Sequence, residues 1–169
     1  PLDVWTPSGR YLKPQQSDQW ALGYVTEKEN GNSLEAEIFY KHTVNRYDYI
    51  DGAELVANKA IEQILLPGTA RAYGLELLFK KTQGKLTGIA SYTLSRAEQK
   101  TPGQHANEPG INQGVWYRSA YDKTHDLSLN VSYNHSKKWK WDANAILQTG
   151  QPNTYPQGQY EFMRTSEPS

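Results

Sequence analysis

Six runs of this chain alternate apolar and polar side chains with a period of two, and most are about ten residues long. They are residues 20–26, 33–45, 71–81, 86–96, 125–135 and 139–150. A period of two is the signature of an extended strand with one apolar face. In the third run, Tyr73, Leu75, Leu77 and Phe79 share one face, and Gly74, Glu76, Leu78 and Lys80 share the other. In the fifth, Leu127, Leu129, Val131 and Tyr133 oppose Asp126, Ser128, Asn130, Ser132 and Asn134. About ten residues is also the length at which a tilted strand crosses a bilayer. Such strands cannot sit in water singly, because each carries a full apolar face that something must cover.

The spacing between the runs is as regular as the runs themselves. Three breaks are short and polar: Glu29-Asn30-Gly31-Asn32, Thr82-Gln83-Gly84-Lys85 and Ser136-Lys137-Lys138. Asn-Gly favours the positive φ angles of a tight hairpin turn. The other connections, residues 46–70 and 97–124, are long. Short and long therefore alternate, so the tight turns fall on one side of a sheet and the long loops on the other. Outer-membrane barrels have this asymmetry. Residues 54–66 contain few breakers, and Pro67-Gly68 stops them, so a helix or an irregular loop is expected there. The chain opens at Pro1 and closes on a polar stretch, and we read it as an internal piece of a longer wall. No fixed-period repeat is visible, which disfavours a propeller or solenoid.

Composition removes several function classes. Eighteen Lys and Arg balance eighteen Asp and Glu, so no cationic excess is left for nucleic-acid backbone. With no cysteine there is no disulfide framework, no zinc-thiolate site and no thiol nucleophile. Mean hydropathy is −0.81 and no long apolar run occurs, which excludes a membrane helix and leaves membrane strands open. Twelve Tyr and five Trp against three Phe favour side chains with an apolar body and a wet tip. Trp139 and Trp141 lie beside a tight turn, and Tyr40 and Tyr92 nearer the long loops, as interfacial girdles would. The four His share no metal-ligand spacing, and no catalytic motif is present, so neither a metal site, a cofactor nor an enzyme is expected.

The stretch Ala70-Arg71-Ala72-Tyr73-Gly74-Leu75-Glu76-Leu77-Leu78 resembles a barrel strand of TonB-dependent outer-membrane receptors. Tyr121-Asp122-Lys123-Thr124-His125-Asp126-Leu127-Ser128-Leu129 resembles the strand start after a large loop in the Bacteroidetes branch of that family. Thr149-Gly150-Gln151-Pro152 is similar to the following strand exit, and residues 1–10 and Leu22-Gly23-Tyr24 to an upstream loop and strand. The resemblance spreads over nearly all of the chain. It implies that residues 1–169 are a partial β-barrel segment: an all-β antiparallel meander of about six transmembrane strands, part of a large outer-membrane barrel. The family's plug domain, its TonB-contacting segment and its C-terminal strands are not among these residues. The implied partners are outer-membrane lipid, the protein's own plug domain, the TonB complex reached through an N-terminal part, and a surface lipoprotein in some members. The implied location is the cell outer membrane, with long loops outside and tight turns in the periplasm.

Within this frame the polar faces carry Glu35, Glu37, Glu76, Lys41, Lys80, Lys140 and Asp142, which are placed for cross-strand charge pairs and contact with a plug. The loop aromatics Trp5, Tyr47, Tyr49, Trp116, Tyr117 and Tyr121 are the candidate ligand-binding residues. Their faces and hydrogen-bonding edges suit siderophores, glycans or peptides. Two alternatives fit the alternation less closely: a small eight-stranded outer-membrane barrel, and a soluble β-sandwich that binds carbohydrate. Six strands alone would leave two open edges and a wet apolar face, so the piece is not expected to form a stable soluble monomer.

Overall fold

The computed structural model describes residues 8–9, 12–49, 65–105 and 108–152. Of the helix or irregular loop expected over 54–66, residues 54–64 lie outside them and Leu65 and Leu66 are in a strand; Trp5 also lies outside them. The described chain is all-β. Strands β1 (Gln16–Glu27), β2 (Asn32–Tyr49), β3 (Leu65–Lys81), β4 (Leu86–Lys100), β6 (His125–Asn134) and β7 (Lys140–Gln148) follow one another in a single antiparallel sheet. A two-residue strand, β5 (Tyr117–Arg118), pairs with the far end of β4.

The tight turns form where expected, and all lie at one end. Gly31 and Gly84 take positive φ, 75° and 97°, which L side chains rarely adopt. The first two turns touch: the Thr82 amide donates to the Gly31 carbonyl at 2.8 Å.

The long connections are shorter than the sequence indicates. β2 runs on to Tyr49, β3 begins at Leu65, and β4 runs to Lys100. Two features hide the extension of β2 and β3. Asn45 has φ 54° and sits in a bulge, where the pairing shifts between Val44 and Arg46. That extra residue breaks the alternation, so the strand looks as if it ends. Pro67 follows in β3, but it pairs only with Tyr47 of β2, because the β4 partnership begins at Thr69. A proline is tolerated where one side of the strand has no ladder to feed.

The registers place the apolar runs on one face. Trp20, Tyr40 and Tyr73 lie opposite one another in a row, as do Leu22, Ile38, Leu75 and Leu94. Phe79, Ala90, Leu129 and Ala145 form a third row, and Leu86, Tyr133 and Trp141 a fourth. The opposite face is Glu37, Glu76 and Thr93 in one row, and Ser91, Ser128 and Ile146 in another.

Nothing among the described residues covers the apolar face. Leu22 is 72% exposed, Trp141 63% and Leu147 65%. The buried apolar side chains among the described residues are Leu12, Leu65 and Leu66, all at the loop end. The accessible surface is 13886 Å². A compact monomer of 19.2 kDa would expose roughly 8,400 Å².

The apolar band also runs obliquely across the hydrogen-bonded rows. On β1, β2 and β3 its loop-side rim is Trp20, Tyr40 and Tyr73, whose row continues to Arg96 on β4. On β4 the last aromatic is Tyr92 and the last apolar residue Leu94, four and two residues nearer the tight turns. The turn-side rim moves the same way. Phe79 pairs with Ala90, yet the band continues four residues further, to Leu86 with Tyr133 and Trp141. A shift of two to four residues is about 7–13 Å along a strand. The band thus runs oblique to the rows, as it does where strands tilt in a barrel wall. The described strands form an open sheet, with β1 and β7 at its edges.

Candidate functional site

The compact, polar part of the described chain is the loop end, where β2, β3 and β4 outrun the band. The bulge at Asn45 is what builds it. Before the bulge, even-numbered residues of β2 lie on the apolar face; after it, Arg46 and Asp48 pair with Gly68 and Leu66 and join the polar face. There Asp48 Oδ2 accepts from Gln99 Nε2 at 2.9 Å and from the Tyr117 hydroxyl at 3.1 Å. Gln99 Oε1 accepts from Arg46 Nε at 2.9 Å, and the Thr101 and Tyr117 hydroxyls lie 3.1 Å apart. Gln99 and Thr101 are buried. No buried side-chain polar atom among the described residues lacks a partner. A network so satisfied fixes geometry instead of offering a free binding group.

A second set of contacts closes residues 101–124 onto β4. Asp122 is 1% exposed. Its Oδ1 accepts from the Ala97 amide at 2.7 Å, and its Oδ2 from Arg118 Nε at 2.7 Å. The Ser119 amide donates to the Ala97 carbonyl at 2.9 Å. Between them, Asp122 and Ser119 satisfy the backbone of β4 where its neighbour β6 has not yet begun.

The candidate ligand-binding aromatics do not converge. Tyr47 and Tyr49 line one hollow of about 300 Å³ with Leu12, Lys13, Asn45 and Leu65. The Tyr47 hydroxyl accepts there from the Lys13 amide at 2.8 Å. Tyr117 is held in the Asp48 network on the polar face. Trp116 lies under the Arg71 guanidinium, 4.2 Å from its carbon to the ring centroid. Tyr121 is 77% exposed. Of the five described, two share a pocket, two serve as struts, and one stands in solvent.

The polar face carries the expected charge pairs in part. Lys80 Nζ lies 2.8 Å from Glu35 across two strands, whereas the Lys140–Asp142 pair, at 3.1 Å, lies within β7 and is not a cross-strand pair. Glu37 and Glu76 lie directly opposite each other and have no cationic partner among the described residues. Opposed like charges are unfavourable in a ladder. Among the described residues, no three His, Asp or Glu converge as a metal site would need. No helix among them is long and apolar enough to cross a membrane.

Sequence reasoning misses Asp48, Gln99 and Asp122 as strut residues. The signal for Asp48 is hidden behind the bulge. That for Asp122 is its place just before the strand start at His125.

The Tyr117 hydroxyl gives this end a pH limit. Burial, together with the Asp48 carboxylate beside it, pushes its pKa above the usual 10.0. The folded state therefore favours the protonated phenol. Its contribution is complete below pH 10.0 and is lost as pH rises through the raised value. Amide protection over residues 108–124, taken relative to the intrinsic base-catalysed exchange rate, should hold to about pH 10 and fall above it. Tyr117→Phe should abolish that step while raising exchange there at neutral pH. An unchanged step in the variant would assign it to another group.

Models of known protein families, curated proteins and solved structures were all compared with the chain, and none matches it.

Proposed function

We propose that this chain is a wall segment of a TonB-dependent outer-membrane transporter, which imports a scarce ligand of the siderophore, glycan or peptide class. The carrying observation is the single apolar face that spans six strands with no layer over it among the described residues. Lipid would supply that layer. Three further features support the reading. Aromatics stand at both rims of the band, tight turns and long connections fall at opposite ends, and the band runs oblique to the rows. The named family rests on the residue stretches quoted above.

In this reading the polar face looks into the lumen. Glu37 and Glu76 then await a cation from whatever fills it, and an arginine of a plug domain has the right charge and reach. The loop end supplies the ligand's first contacts, with Tyr47 and Tyr49 at one hollow. The chain's own part in transport is to hold a rigid wall and position loops. No bond-making step is assigned to it.

The test is membrane fractionation of the full-length protein, followed by gels of boiled and unboiled samples. The expected result is sedimentation with outer membranes and a heat-dependent shift in migration. A protein that stays soluble without detergent and shows no shift would overturn the reading. Residues 1–169 expressed alone should need detergent to remain dispersed; a sharp, detergent-free monomer that melts cooperatively would count equally against it.

A further inference from the structure

We propose that Arg71, Arg96 and Arg118 form a site for the phosphate of an anionic lipid headgroup, at the loop-side rim of the apolar face. The proposal rests on the reading that this face meets lipid.

The registers gather the three arginines around one carboxylate. Arg71 of β3 lies directly opposite Glu98 of β4, and Arg118 of β5 lies opposite Glu98 from the other side. Arg96 precedes Glu98 by two residues on the same strand, so its side chain falls on the same face. That face is the apolar one, because Arg96 is the cross-strand partner of Tyr73 and β3 keeps its register with β4 throughout. Arg71 reaches Glu98 at 2.7 Å and Arg96 reaches it at 3.3 Å. Arg118 instead engages Asp122 at 2.7 Å, and also Thr124.

The charge does not balance. Among the described residues, three guanidinium groups meet two carboxylates, Glu98 and Asp122, both largely or wholly buried. Lys100 lies two residues beyond Glu98 on the same strand face. The arginine side chains remain 34%, 40% and 41% exposed. A guanidinium has five N–H donors. Among the described residues, the contacts made use Nε and Nη2 of Arg71, Nε of Arg96, and Nε and Nη2 of Arg118, and none uses an Nη1. Trp116 holds the Arg71 plane from one side, which leaves its fork pre-oriented.

Position selects the ligand. The last apolar residue of the band on β4 is Leu94, so the arginines stand about 7–13 Å beyond it along the strand. Acyl chains lying on the band below would end their headgroups at that height. Phosphate is the group whose geometry a fork of guanidinium donors matches, and an outer leaflet built on phosphorylated glycolipid presents it there.

The full-length protein, purified in a mild non-ionic detergent, would be incubated with lipid A or with fully dephosphorylated lipid A, and retained lipid read by native mass spectrometry. Wild type should retain lipid A in preference to its dephosphorylated form. Arg96→Gln should lower lipid A retention about 5–10-fold, and the Arg71→Gln/Arg96→Gln pair should remove the preference. Glu98→Gln removes the competing carboxylate and should raise retention. Heat-shifted migration reports folding for each variant, and Arg96→Lys keeps charge and should recover part of the loss. Equal retention of both lipids by wild type, or a folded double variant that retains lipid A like wild type, overturns the site. Inorganic phosphate that binds wild type while lipid A does not would make it a free-anion site and overturn the lipid assignment. A wild-type protein that is soluble and shows no heat shift overturns the membrane reading itself, a separate and recognisable outcome.

Discussion

Leu77→Arg is expected to abolish assembly of the full-length protein into the outer membrane, whereas Ser91→Arg is expected to leave it nearly intact. Leu77 is near the middle of the apolar band, between Ala36 and Tyr92. Ser91 is one strand away at almost the same height, on the polar face, opposite Leu78. A cationic side chain at the middle of the lipid face costs about 2–4 kcal/mol, while the same side chain in a lumen finds water and carboxylates. Glu76 and Glu37 lie on that polar face and would receive it. The pair is diagnostic because the two readings of the sheet order the effects differently. Were the apolar face simply wet, an arginine there would raise solubility at almost no cost. Were it covered by a second sheet in a soluble protein, Leu77→Arg would unfold a species that never needed detergent. The measurement is the fraction of heat-shifted protein in the membrane pellet for each variant. Equal assembly of the two would remove lipid from the apolar face.

The sequence carries most of the sheet because lipid-facing strands have one rule, alternation, and three tight turns that fix where it starts. Counting outward from the turn at residues 82–85 would pair Lys81 with Leu86 and Arg71 with Arg96, but Leu86 and Thr87 pair only with β6, so the β3–β4 register is offset by two residues and then holds without a shift from Lys81 and Gly88 to Thr69 and Lys100. Arg71 therefore meets Glu98, a pairing that counting from the turn misses. The site end is less legible, because its geometry depends on one residue that breaks the rule. Asn45 adopts φ 54°, tolerable for Asn, and the bulge there reverses which residues of β2 face which way. Every assignment beyond it inverts, so Asp48 is hidden as a partner of Gln99 and Tyr117, and Tyr47 and Tyr49 move to the other face. Phe39 is a different kind of exception. It is an aromatic on a polar face, and its ring lies over Gly74, where a Cβ would come within 2.9 Å of it and 2.5 Å of the Leu94 carbonyl oxygen. The ring covers backbone that no side chain of residue 74 covers. Alternation alone cannot register such a contact, since it joins two strands.

Asp122→Ala should release residues 101–124 from β4 and lower stability by about 2–4 kcal/mol. The carboxylate accepts from the Ala97 amide and from the Arg118 guanidinium, which otherwise reaches Thr124. The Ala97 amide would be left without an acceptor in a part-buried place, at a cost of about 1–3 kcal/mol. The charge-assisted bond to Arg118 would go as well, worth about 1.5–3 kcal/mol before solvent reaches the guanidinium. Arg118 is 41% exposed, so water recovers part of that and the sum falls short of both maxima. Asp122→Asn separates the terms: its amide oxygen can still accept from Ala97, but it carries no charge for Arg118, and about half of the loss should return. The band itself is remote from this corner. Heat-shifted migration should therefore survive in both variants, while protease cleavage between residues 101 and 124 rises in the order wild type, Asn, Ala. Cleavage that is unchanged in Asp122→Ala would mean that the loop is held by the Asp48–Gln99–Tyr117 network alone. Loss of the heat shift would mean that the loop and the wall fold as one unit, and that the struts at the loop end are part of what sets the barrel.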